Sequence, residues 1–211
     1  MNTRIVIVED HALVRTGLRT SLRTSGFDVV GETADGLAAL ALIAELRPDV
    51  AIVDIGIPGK DGITLTRDLK SGSDGPRVVV LTMREEETTV RAVLQAGADA
   101  YCVKSSPPEI IVDAVRTVAA GGAYFDARVA DIVRRRLSGV LADDGQSPLT
   151  AREAEVLELI AEGTGNLEIA AQLGVSLATV KTHIAEILRK LSAMDRAHAT
   201  AISQLPAETR D

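Results

Sequence analysis

Glu9, Asp10, Asp54, Thr82 and Lys104 are the residues of this 211-residue chain whose types and spacing suggest chemistry. Each closes or directly follows a short apolar run: R-I-V-I-V at 4–8, V-A-I-V-D at 50–54, R-V-V-V-L-T at 77–82 and A-Y-C-V-K at 100–104. A carboxylate attacks a phosphoryl group only when the negative charges on both partners are neutralised. That calls for a hard divalent cation with oxygen ligands and a further fixed positive charge. Glu9, Asp10 and Asp54 supply the acidity and Lys104 the fixed cation. The Thr82 hydroxyl suits a phosphoryl oxygen, and the backbone carbonyl of Gly56 suits a metal as a neutral ligand. The set is chemically complete for Mg²⁺-assisted transfer of a phosphoryl group onto Asp54.

These residues need a scaffold that gathers four strand ends. With D-V-V-G-E at 28–32, the apolar runs make five strands, and segments near 12–25, 35–46, 61–70, 85–96 and 107–120 carry helical spacing. A fivefold βα alternation predicts a five-stranded parallel sheet with helices on both faces, an α/β fold. Ligands of such sheets sit beyond the carboxyl ends of the strands, where the polar residues fall. Asp61 before Gly62 is expected to cap the third helix. His11 reads as a helix-start residue with no chemical task, and Glu85, Glu86 and Glu87 suit the positive end of a helix dipole.

Gly121 and Gly122 close the fifth helix, so a first domain is expected over 1–122. A linker follows at 123–146, with a short helix over 128–137. From 147 to 211 the pattern is purely helical, near 150–162, 166–173, 177–190 and 195–204. L-G-V-S at 173–176 forms the short turn of a helix-turn-helix, and Thr150 with Glu153 forms a capping box.

Composition narrows the class further. Hydrophobic residues make up 46% but aromatics only 2%, so the core must be aliphatic. The single cysteine, Cys102, excludes an internal disulfide and is expected in a buried strand. The N-terminus turns acidic too early for a signal peptide and no apolar run approaches a membrane span, which predicts a cytoplasmic protein without a membrane partner. Net charge is -7, and even residues 147–211 hold six Lys and Arg against nine Asp and Glu. Affinity for nucleic acid would therefore have to come from one locally basic surface.

V-E-D-H, V-D-I-G-I-P-G-K-D-G, V-L-T-M, A-G-A-D-A-Y and V-K, in this order, resemble the receiver domain of response regulators over roughly the first 120 residues. The resemblance implies that Asp54 accepts a phosphoryl group from a histidine kinase, that Asp10 ligates Mg²⁺ directly and Glu9 through water, and that Lys104 pairs with the phosphoryl group. It further implies that Thr82 and Tyr101 form a switch pair, the hydroxyl turning to phosphate as the ring turns inward. Glu9, Ile57 and Ser105 depart from common choices without removing a functional group. Receivers often have a cis bond where Lys104 meets Ser105; the sequence leaves its isomer open.

L-T-A-R-E-A-E-V-L-E-L-I-A-E-G, N-L-E-I-A-A-Q-L-G-V-S and A-T-V-K-T-H-I-A-E-I-L-R-K-L resemble the LuxR-type helix-turn-helix of the NarL/FixJ subfamily, which implies a DNA-binding transcriptional regulator. Ser176 and Thr179 begin its second helix at the phosphates. Val180, Ile184, Ile187, Leu188 and Leu191 form the core stripe, leaving Lys181, Thr182 and Ala185 towards the bases. His183, Arg189 and Lys190 suit phosphate contacts, with surface cations as the plainer alternative for the last two. Leu167 stands where relatives often carry lysine. Weak monomer binding is therefore expected, with a phosphorylated homodimer on paired half-sites as the binding form. The segment from Asp195 to Ala201 is the dimer contact by resemblance and equally suits intramolecular packing.

Two rival functions follow from the same residues. An aspartyl-phosphate hydrolase would use the strand-end carboxylate catalytically, against which the helical DNA-binding half argues. A phosphorylation-independent DNA-binding regulator would keep the fold without using the acidic site.

Overall fold

The computed structural model describes residues 2–72, 74–83, 86–126, 129–130, 149–162, 164–187 and 189–190. Short β-branched runs form the sheet: β1 (Arg4–Val8), β2 (Asp28–Thr33), β3 (Val50–Asp54), β4 (Arg77–Thr82), β5 (Ala100–Val103) and β6 (Tyr124–Phe125). All pair in parallel, in the order β2-β1-β3-β4-β5-β6. The expected α/β sheet is present with one strand more than the five foreseen. Two residues are too short for any periodic signal, and only pairing of Ala100 with Tyr124 and Tyr101 with Phe125 makes β6 a strand.

Alternation along each strand divides the core. Ile5 and Ile7 of β1 join Ile52, Leu81 and Cys102 under α1 (Ala12–Thr24) and α5 (Pro108–Ala119), which contribute Leu18, Leu22, Ile111 and Val115. Val6 and Val8 join Val53, Val80 and Tyr101 on the opposite face. That face is covered by Ile43 of α2 (Gly36–Leu46), Leu65 of α3 (Gly62–Lys70) and Val90 of α4 (Glu87–Gln95). Both faces are thus dry, as parallel sheets require.

The chain order reverses between β1 and β3, so their carboxyl ends flank the crevice expected to hold ligands. Caps fix the loops around it. Asp35 accepts from the amides of Leu37 and Ala38, and Asp61 from those of Ile63 and Thr64. The Asp61 carboxyl is held below its usual value: burial pushes it up, but these amides outweigh that effect. Gly62 starts α3 so close to β3 that a Cβ there would lie 2.1 Å from the Asp54 carbonyl oxygen. The Lys104–Ser105 peptide is trans.

The described residues from 149 onward form three helices, α6 (Ala151–Ala161), α7 (Asn166–Gln172) and α8 (177–187). Val156, Leu157, Ile160, Ile169, Val180, Ile184 and Ile187 are buried. The capping box is formed, with Thr150 Oγ1 accepting from the Glu153 amide and Glu153 accepting from the Thr150 amide. Most of the helix expected at 128–137, the helix at 195–204, and Glu85, Leu188 and Leu191 lie outside the described residues. Among the described residues no helix is long and apolar enough to cross a membrane.

Gly62→Ala tests how tightly α3 clamps the end of β3. The added methyl meets backbone that cannot yield, so a loss of about 1–3 kcal/mol in urea unfolding is expected.

Candidate functional site

Four strand ends deliver one cluster. Glu9 follows β1, Asp54 ends β3, Thr82 ends β4, and Lys104 follows β5, held by its amide donating to the Thr82 carbonyl at 2.8 Å. Glu9 is 1% exposed, Asp54 5% and Thr82 1%. Lys104 Nζ lies 2.7 Å from Glu9 Oε2 and 2.8 Å from Asp54 Oδ2. Burial alone would lower the lysine pKa. Hydrogen bonds and charge from the two carboxylates outweigh it and raise the pKa above the ordinary value. Lys104 is therefore a permanent ammonium between two buried carboxylates, where removing one partner strands the others' charge.

Asp10 lies at the rim, half-buried. Its carboxyl is pushed up by burial but pulled further down by His11, and ends below its usual value. His11 was expected to have no chemical task, yet its Nδ1 lies 2.7 Å from Asp10 Oδ1 and 3.2 Å from Glu9 Oε1. Arg15 donates to the carbonyls of Glu9 and Asp10 at 2.6 and 3.3 Å and fixes this turn. Gly56 follows so closely that a Cβ on it would sit 3.6 Å from Asp54 Oδ2.

Glu9, Asp10, His11 and Asp54 offer ligand atoms that all lie within 4.8 Å of one another. Glu9 Oε2 and Asp10 Oδ1 are shut off from solvent, with only the Lys104 ammonium against the first and the His11 imidazole against the second. Such oxygen-rich, incompletely satisfied donors fit a hard divalent cation. Tyr101 is fully buried in the core, in the inward position that the receiver resemblance associates with phosphorylation.

The helix-turn-helix forms a second candidate site. Gly174, at φ 64°, makes the turn between α7 and α8. Ser176 Oγ accepts from the Thr179 amide at 3.1 Å and meets Thr179 Oγ1 at 2.8 Å, capping α8. Thr182 is exposed, its hydroxyl donating to the Ala178 carbonyl, and His183 is half-buried. Arg189 pairs with Glu186 on the surface. Lys190 is half-buried and donates to Glu153 at 2.6 Å, tying the end of the recognition segment to the capping box of α6.

One side of α8 meets the first domain. A Cβ on Gly122 would lie 2.9–3.1 Å from the Lys181 side chain, so glycine lets the helix approach. Lys181 and Thr182 line one crevice with Ala120, Gly121 and Gly122. Ala185 and Arg189 line another, of about 240 Å³, with Arg77, Asp99 and Gly122. The sequence leaves open whether the receiver meets the recognition helix; the glycine pair after α5 is where the contact falls.

Residues 5–116 match the family described as response regulator receiver domain, and residues 147–203 match bacterial regulatory proteins of the luxR family. The chain is similar to the transcriptional regulatory protein LiaR of Bacillus subtilis, 40% identical over 199 residues that cover 93% of this chain and 94% of that one. It is also similar to the nitrate/nitrite response regulator protein NarP of Escherichia coli, 36% identical over 200 residues covering 94% and 93%. Among solved structures, the RcsB response regulator of Salmonella typhimurium matches with a TM-score of 0.60 at 29% identity, covering 90% of this chain and 92% of that chain. A structure of an RcsB–DNA complex matches at 0.59 and 28%, covering 91% and 93%.

Glu153 gives a pH test of the α6–α8 tie. Burial pushes its carboxyl up, but Lys190 and the Thr150 amide pull it below its usual value of 4.5. A lowered folded pKa means stabilisation that is complete above the unfolded value and fades as pH falls through the folded one. Glu153→Gln should therefore cost about 1–2 kcal/mol near neutral pH, by urea unfolding, with the deficit shrinking below about pH 4.

Proposed function

Because this chain belongs to the NarL/FixJ family of response regulators, with a receiver and a LuxR-type domain, we propose that it regulates transcription through phosphorylation of Asp54. The donor is a sensor histidine kinase and the working compartment is the cytoplasm. The receiver spans 1–122, the linker 123–146 and the DNA-binding domain 147–211. The observation that carries this reading is the Lys104 ammonium held between the buried carboxylates of Glu9 and Asp54.

Glu9, Asp10, Asp54 and the Gly56 carbonyl would hold Mg²⁺, which when bound neutralises the carboxylates and the incoming phosphoryl oxygens. Asp54 supplies the attacking oxygen. Its O–P bond forms as the N–P bond of the kinase phosphohistidine breaks, the electron pair staying on the imidazole nitrogen. Lys104 then exchanges a carboxylate oxygen for a phosphoryl oxygen, and Thr82 donates its hydroxyl to another. No small substrate is turned over, which separates this reading from a phosphohydrolase.

Output follows from the strand that carries Lys104. β5 pairs with β6, and Ser106 donates to Asp126 at 2.6 Å, linking the loop after Lys104 to the start of the linker. Gly122 lies against Lys181, the cation expected at the bases, at the opposite, amino-terminal end of β6, so the strand pair β5–β6 spans from the loop after Lys104 to the contact with α8. Lys181, Thr182 and Ala185 would read bases, while Ser176, Thr179, His183, Arg189 and Lys190 face phosphates; the last two must leave Glu186 and Glu153 to do so. Phosphorylation shifts the population towards separated domains and a homodimer on DNA; the similar response regulator RcsB is bound to DNA as dimers, which supports the dimer part of this reading. The buried Tyr101 favours a second reading, a regulator active without phosphorylation, because its ring is already inward.

DNA affinity of wild type, Asp54→Ala and Gly122→Val, with and without acetyl phosphate and Mg²⁺, separates these readings. Wild type should gain about tenfold, equivalent to roughly 1.4 kcal/mol, and Asp54→Ala nothing. Gly122→Val should bind tightly even unphosphorylated while still accepting the phosphoryl group. Equal affinity in all samples would favour phosphorylation-independent control.

A further inference from the structure

Glu9, Asp10 and His11 converge in a way that an oxygen-only Mg²⁺ site does not require. His11 Nδ1 touches both carboxylates, 2.7 Å from Asp10 Oδ1 and 3.2 Å from Glu9 Oε1, while Lys104 occupies the other Glu9 oxygen and Asp54 Oδ2. The side of the cluster away from Lys104 therefore presents one imidazole nitrogen and two carboxylate oxygens on a small triangle. Ligands about 2.0–2.1 Å from a tetrahedral ion are separated by about 3.3 Å, close to the spacing of Nδ1 and Glu9 Oε1. An ion seated there would replace the hydrogen bond between Nδ1 and Asp10. His11 caps no backbone amide of α1 with its side chain and is mostly exposed, so its ring is free to serve as a ligand.

We infer that His11 is a nitrogen ligand that turns the acidic site into a binding site for a borderline divalent cation such as Zn²⁺ or Co²⁺, in competition with Mg²⁺. This rests on the reading that the acidic cluster holds a divalent ion. Imidazole suits first-row transition ions, whereas Mg²⁺ prefers oxygen donors. Glu9 and Asp10 would serve either ion, and His11 would discriminate between them. A transition ion seated on His11 would hold Asp10 and Glu9 away from Mg²⁺ and so set how much of the regulator is open to phosphorylation.

The test uses the full chain and calorimetric titration with Zn²⁺, Co²⁺ and Mg²⁺ separately, at about pH 7.5, where an ordinary imidazole is neutral. Wild type is compared with His11→Asn, which keeps a residue favoured at a helix start, and with His183→Asn. His11→Asn should weaken Zn²⁺ and Co²⁺ by at least about tenfold and leave Mg²⁺ unchanged. The visible absorption of bound Co²⁺ should change with it, while His183→Asn, remote from the acidic cluster, should bind all three ions with wild-type affinity. Unchanged Zn²⁺ affinity in His11→Asn, or an equal loss for all three ions, would overturn the inference. A wild-type chain that takes Zn²⁺ but not Mg²⁺ would overturn the Mg²⁺ reading instead, and the His11→Asn comparison would still decide the role of the imidazole.

Discussion

One ammonium between two buried carboxylates constrains the rest of this molecule. Glu9 and Asp54 lie side by side almost without solvent, and Lys104 compensates both. Burying three charges costs several kcal/mol per ion unless geometry is close, so the strands that bear them must be held in register. The parallel pairing of β1, β3, β4 and β5 does this, and the glycine at the start of α3 lets that helix press on Asp54 from outside. In the proposed mechanism, charge added at Asp54 redistributes the contacts of Lys104, and β5, which pairs with β6, carries that change to the sheet edge.

At that edge the two domains meet. The short β6 extends the sheet beyond β5, and the glycine pair before it leaves room for Lys181 of α8. The stem of Lys181, the cation proposed to read bases, thereby packs against the receiver. Lys190 and Arg189 are likewise engaged by Glu153 and Glu186. In a domain whose overall charge is already acidic, pairing two cations with carboxylates and packing the stem of a third against the receiver lowers the attraction for a polyanion. Control of DNA binding then becomes a question of which carboxylates or backbone these cations face.

Much of this was legible in the sequence because it is local or periodic. Four of the strands end where apolar β-branched runs end, Asp61 and Thr150 announce helix starts, and Asp54 with Lys104 falls at the carboxyl edge required by a parallel sheet. The rest depends on partners far apart in the chain. Lys190 finds Glu153 across 37 residues, and Ser106 finds Asp126 across 20, through packing that no periodicity encodes. β6 exists only by virtue of its neighbour. His11 was adjacent to Glu9 and Asp10 all along, but adjacency does not show that a turn fixed by Arg15 folds its ring back over both carboxylates.

The central claim is that a charge added at Asp54 releases Lys181 from Gly122. Covalent labelling of the Lys181 amine, followed by mass spectrometry with and without beryllofluoride and Mg²⁺, measures this directly. The account predicts a labelling rate that rises severalfold in wild type on adding beryllofluoride and does not change in Asp54→Asn. An unchanged labelling rate in a wild-type chain whose DNA affinity nevertheless increases would contradict it.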